Sequence, residues 1–203
     1  MGIQFVNQST VVTADALTAF LAALEKYLAE AVAPEWGIPD VPAGTTIMLL
    51  DEPGSNDPSD ALGYHDVNGS TPYGRVFCKL AQDSGIAWTI VASHEAIELS
   101  VDQRCNQVTF LAANPQGTAG WQVIQEPCDP CEMQSTLVNG VQMSGFVYRA
   151  WFMPGFIGKV DNLGLVPGPL KIMSGGYASA NYVTRANGWQ SFNAFLKQAN
   201  NPM

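Results

Sequence analysis

The chain has 203 residues, 47% of them hydrophobic and only 13% charged, which is enough apolar material for a buried core and unlike a disordered chain. Nine basic residues oppose 18 acidic ones, for a net charge of −9. That balance excludes the dense Lys/Arg surface nucleic acid requires and argues equally against docking on anionic lipid membranes. With so few charges, the remaining surface suits an acidic enzyme or a subunit of an oligomeric assembly.

Residues 1–6 carry no basic stretch leading into an apolar segment, so no secretory signal is expected. No apolar run approaches membrane-spanning length, and the chain reads as soluble. Thr13 is a good N-cap and Asp15 suits the first helical turn. From there Leu17, Phe20, Leu21, Leu24, Tyr27, Leu28 and Ala31 fall on a 3.6-residue stripe, predicting a long N-terminal helix over 14–32 that Pro34 and Gly37 end. Residues 45–50 read as a buried strand. A loop-like stretch over 51–74 contains a short candidate strand at 62–66, and 75–81 reads as a further strand. Asp83, Ser84 and Gly85 open a second helical pattern running to about Val101.

Strands are expected at 108–112 and 121–124 around the turn Asn114-Pro115-Gln116-Gly117. Residues 136–138 and 141–143 flank Asn139-Gly140, the strongest short-range hairpin signal. Glycines and prolines then mark a loop-rich stretch from 154 to 176, and 189–198 reads as a final short helix. The fold class is α+β: one domain over 1–203 with a mixed sheet, its helix-and-sheet part at 1–132 and a β-rich, loop-rich part at 133–203.

Four cysteines are present, Cys78, Cys105, Cys128 and Cys131. Cys128 and Cys131 form a lone CxxC, whereas a structural zinc site usually takes two close pairs. Glu126, Asp129 and Glu132 surround that motif and disfavour a thiolate. Buried free thiols, or one incidental disulfide, are the better reading.

The chemistry concentrates in His94-Glu95-Ala96-Ile97-Glu98. At 100° per residue, His94 and Glu98 lie about 40° apart, inside the apolar stripe of their helix, with Glu95 and Asp102 on its border. A buried carboxylate needs a partner or protonates, and a metal ion is one partner that accounts for both side chains. Donors at i and i+4 point the same way, as in His-Glu-x-x-His zinc sites, with Glu98 in place of the second histidine. Glu95 then stands where such sites keep their general base. A His–Glu pair hydrogen-bonded within a core is the plainer alternative. Glu126, Asp129 and Glu132 follow the helix by about 30 residues and offer a third ligand. His65 is the chain's other histidine. It is a candidate ligand, a transition-state hydrogen-bond donor, or a loop histidine oriented by Asp66 or another acid.

The blocks Gly63-Tyr64-His65-Asp66, Ser93-His94-Glu95-Ala96-Ile97-Glu98 with Asp102, and Glu126-Pro127-Cys128-Asp129-Pro130-Cys131-Glu132 resemble a poorly characterised family of phage and bacterial proteins. The resemblance continues through Asn139-Gly140-Val141, Phe146, Ala150-Trp151-Phe152 and Gly175-Gly176-Tyr177, and so covers most of the chain. It implies a zincin-like metallopeptidase and frequent encoding in phage genomes. The chain departs from the pattern at Gln103, where family members commonly carry proline.

These observations lead to a metal-dependent peptidase acting on a polypeptide substrate. His94 and Glu98 bind Zn2+ with Asp129 as third ligand, and Glu126, Glu132 and Asp102 stand in reserve. Glu95 moves the proton, and His65 or Tyr64 stabilises the oxyanion. The rival is a non-catalytic virion component of the head, neck or tail, contacting other virion subunits and keeping the cluster as a structural ion site or polar core.

Overall fold

Alternating burial along Thr46–Leu50 places Ile47 and Leu49 in the core and makes this segment a natural central strand. The computed structural model describes residues 2–38, 44–113, 119–184 and 190–197, and they form a mixed α/β protein. The described residues gather into two compact units. The first comprises Met1–Cys105 and Gln134–Gly145, the second Asn106–Met133 and Phe146–Met203.

In the first unit, β1 (Gln4–Asn7), β2 (Thr46–Leu50), β3 (Gly63–Asn68) and β4 (Thr71–Phe77) form a sheet in the order β1-β2-β4-β3. β1, β2 and β4 run parallel, while β3 pairs antiparallel with β4 through a tight hairpin that puts His65 opposite Gly74. The mixed sheet is therefore present, and β3 lies where the short strand was expected.

α1 (Ala14–Tyr27) is capped as predicted, Thr13 Oγ1 accepting from the amide of Ala16 at 3.2 Å. One long α-helix over 14–32 is not what forms. α-Helical bonding stops at Tyr27, a π-helical turn occupies Leu28–Val32, and α2 (Ala33–Trp36) follows. Pro34 supplies the physical reason: it lacks an N–H and its ring crowds the carbonyl four residues earlier, and a widened turn relieves both. Gly37, in the left-handed region, caps the end.

The strand expected over 75–81 ends at Phe77, and α3 (Cys78–Asp83) takes the rest. Asp83-Ser84-Gly85 closes α3 instead of opening a helix. Gly85 has φ +78°, and the Ile86 amide donates back to the Ala81 carbonyl at 2.9 Å, a glycine-dependent stop. α4 (Trp88–Val101) then begins three residues later.

β7 (Ser135–Val138) and β8 (Val141–Ser144) form the expected hairpin, with Asn139 and Gly140 both at positive φ. This hairpin packs on α4 through one hydroxyl. Ser93 Oγ accepts from the Ser144 amide at 2.8 Å and donates to the Ile90 carbonyl at 3.0 Å. Tyr27 donates its hydroxyl to the Ser144 carbonyl at 2.9 Å, tying α1 to the same strand. Phe20, Leu24, Phe77, Ile97 and Leu99 fill the core between these elements, each contributing about 1.5–3 kcal/mol by burial.

The second unit is built on an antiparallel sheet. β5 (Val108–Ala112), β6 (Ala119–Ile124), β9 (Tyr177–Thr184) and β10 (Gln190–Lys197) follow the order β10-β9-β6-β5. The strands at 108–112 and 121–124 are as expected, and the turn at 114–117 lies outside the described residues. The final helix expected over 189–198 is instead β10, paired antiparallel with β9 along its whole length. Short 3-10 turns at Asp129–Cys131 and Arg149–Phe152 carry the irregular part of this unit. None of the four cysteines is in a disulfide; Cys78, Cys128 and Cys131 are buried and Cys105 is half-buried. Among the described residues, no helix is long and apolar enough to cross a membrane.

Candidate metal centre

α4 is made of good helix formers such as Ala92, Ala96, Glu95, Glu98 and Leu99, and it is buried on every side from Val91 to Val101. The expected division into an apolar stripe and a wet face is therefore absent. His94 is 9% exposed, Glu95 5% and Glu98 2%. Three ionisable side chains on consecutive turns of a buried helix need mutual partners or a cation.

β3 supplies the fourth member. Strand alternation sends neighbours to opposite faces, and His65 meets Glu95 and Glu98 while Asp66 is exposed and accepts from the Val67 amide. His65 Nδ1 lies 3.0 Å from Glu95 Oε2 and 3.6 Å from Glu98 Oε2. His94 Nε2 lies 3.0 Å from the same Glu98 oxygen. One oxygen of Glu98 thus faces both histidines. Glu95, not Asp66, orients His65.

Burial of the His65 ring favours the neutral form, but Cys105, Glu95 and Glu98 outweigh it and hold the pKa well above its ordinary value. The cluster draws positive charge to itself, which a divalent cation would supply more fully than a proton. His65, Glu95 and Glu98 each offer a donor atom, all within 4.8 Å of one another. Imidazole nitrogen with carboxylate oxygen is a donor set that suits zinc and its first-row neighbours. His65 Nδ1 is the ring nitrogen that faces both carboxylates. The residues present fit a metal.

Tyr64 and Asp102, also expected at the site, are held by other contacts. Tyr64 occupies the opposite face of β3 from His65 and donates its hydroxyl to Asp57 Oδ1 at 2.7 Å, so it is committed to another contact. Burial first, then this bond, raises its pKa. Asp102 caps α4, its amide donating to the Glu98 carbonyl at 2.7 Å and its Oδ1 accepting from the Arg104 amide at 3.3 Å. Asp129 belongs to the second unit, buried at the start of a 3-10 turn, and Glu126 and Glu132 flank it there.

The sequence reading passed over Cys105, whose effect on His65 no spacing rule signals, and the pairing of His65 with Glu95. A histidine two residues after a glycine in a short candidate strand was the one available hint of the latter. No family model matches the chain, no curated protein matches it, and no solved structure matches it.

Proposed function

We propose that this chain is a metal-dependent hydrolase, and specifically a zincin-like peptidase, whose Zn2+ is held by His94 and Glu98 with His65 beside them orienting Glu95. The observation that carries this reading is the buried convergence of His65, Glu95 and Glu98, with Glu98 Oε2 facing both histidines. A divalent cation supplies Lewis acidity there, acidifying water and polarising a carbonyl. Glu95 is the proton carrier. Its Oε2 is held by His65, which leaves Oε1 to take a proton from the attacking water and pass it to the leaving amine. His65 holds that carboxylate in one orientation, and burial around α4 keeps bulk water from competing. The resemblance of the three sequence blocks to a zincin-like phage and bacterial family supports a polypeptide substrate.

Elemental analysis by mass spectrometry, with peptide-library hydrolysis beside it, tests the reading. Purified protein should carry about one zinc per chain, keep it in Glu95→Gln with loss of hydrolysis, and lose it in His94→Ala and Glu98→Ala. Wild-type protein that takes up no metal after incubation with zinc would overturn it.

A second reading, a virion subunit, is favoured by one specific observation. Met153, Phe156, Ile157 and Leu165 of the second unit are 56%, 40%, 96% and 48% exposed within one irregular segment, a concentration of apolar surface that suits contact with other subunits. Electron microscopy of particles carrying this chain, with a symmetric density at full occupancy, would support that role.

A further inference from the structure

Glycine inside a strand weakens it and marks a place where something comes close. Gly63 lies in β3, paired with Val76 of β4, and it is absent from the positive-φ glycines, so backbone conformation does not require it. The reason lies across the interface with α4. A Cβ at position 63 would sit 2.6 Å from Val91 Cγ1, 3.0 Å from the Arg75 carbonyl oxygen and 3.0 Å from Glu95 Oε1.

Residues 63 and 65 share one face of β3. Glu95 spans them, with Oε1 3.0 Å from where a Cβ of residue 63 would stand and Oε2 on Nδ1 of His65. We propose that Gly63 is a positioning residue for Glu95, its missing side chain leaving the space that lets one carboxylate oxygen stay open while the other is held by His65. The consequence for proton transfer rests on the hydrolase reading above, whereas the geometric claim can be decided on metal-free protein.

The neighbouring Val91 must first be separated from the effect, since its Cγ1 is the tightest neighbour. Gly63→Ala is therefore introduced into a Val91→Ala background, which removes that conflict and leaves those with Glu95 and the Arg75 carbonyl oxygen, of which only the first is relieved by removing the Glu95 side chain. The probe is the imidazole nitrogen–proton NMR spectrum of metal-free protein. The chain has only two histidines, and His65→Gln identifies the signal of interest. The low-field Nδ1–H signal of His65 should persist in Val91→Ala and be lost in Val91→Ala/Gly63→Ala.

Calorimetric zinc titration should show affinity about tenfold weaker in the double variant, the size of effect seen when a ligand's supporting partner is disturbed. In a Glu95→Ala background, adding Gly63→Ala should change the affinity no further. Thermal melting supplies the check on folding. If the double variant is unstable, removing the Glu95 side chain from it should raise its melting temperature by freeing the contested space. An unchanged His65 signal in the double variant overturns the proposal. So does an equal loss of zinc affinity with Glu95 absent, or a triple variant that melts no higher. Wild-type protein that binds no zinc overturns the metal reading alone, and the His65 signal still decides the role of Gly63.

Discussion

Asp57 shows how single residues anchor the long loop between β2 and β3. Its side chain is 2% exposed and accepts from the Tyr64 hydroxyl at 2.7 Å, the Gly54 amide at 2.7 Å and Arg75 Nη1 at 2.6 Å. Burial pushes the carboxyl pKa up, but those three donors prevail and hold it below its ordinary 3.8. A depressed carboxylate pKa stabilises the fold above the unfolded value, and that contribution is lost as pH falls through the folded one. Asp57→Asn should therefore destabilise the protein at pH 7 by about 1.5 kcal/mol, the low end for hydrogen bonds to a charged group because Arg75 is partly exposed. In urea denaturation the gap from wild type should narrow below pH 3.8 and close under the lowered pKa. The thiols make a second case at this scale. Burial raises the Cys78 pKa to about 12, which leaves it protonated and inert at neutral pH, and Cys128 and Cys131 are buried too. Ellman's reagent should modify Cys105 alone in the native protein and all four cysteines after denaturation.

Among elements, α4 depends on its neighbours more than on its own ends, since its N-cap residue Ala87 makes no side-chain capping bond. Ser93→Ala would leave the buried Ser144 amide without its acceptor, at a cost of about 1–3 kcal/mol. The midpoint of urea unfolding should fall accordingly with an unchanged slope, and an unchanged midpoint would show that β8 does not brace the helix. The element scale also separates what a sequence can say from what it cannot. β2, β5, β6 and the β7–β8 hairpin were legible because alternation and Asn139-Gly140 are local signals. β10 was not: Trp189, Phe192, Phe195 and Leu196 satisfy helical spacing, and pairing with β9 decides the outcome. The segment from Arg75 to Ala81, apolar apart from Arg75 and Lys79, hid the boundary at Phe77 for the same reason. At the candidate site, His94 and Glu98 one turn apart were readable from the i, i+4 rule. The pairing of His65 with Glu95 depends on how β3 packs against α4, a non-local contact, and local reasoning left the choice open between Asp66 and another acid.

For the whole molecule, the decisive quantity is charge. The chain carries −9 overall, yet two of its carboxylates, Glu95 and Glu98, are 5% and 2% exposed beside two histidines. A cation that binds only the folded state adds stability according to its excess over Kd, about 2.7 kcal/mol at a hundredfold excess. For a chain of this size that corresponds to a rise in Tm of roughly 5–10 °C. Zinc at that excess should raise the Tm of metal-free wild type by up to this amount, a chelator should reverse it, and Glu98→Ala should show no rise. The four thiols lower the expected shift, because zinc also binds cysteines of the unfolded chain. That loss is common to wild type and Glu98→Ala, so the difference between them isolates the buried site. An acidic surface gathering zinc without a specific centre would raise both proteins equally, and that result would assign the buried glutamates to a hydrogen-bonded core.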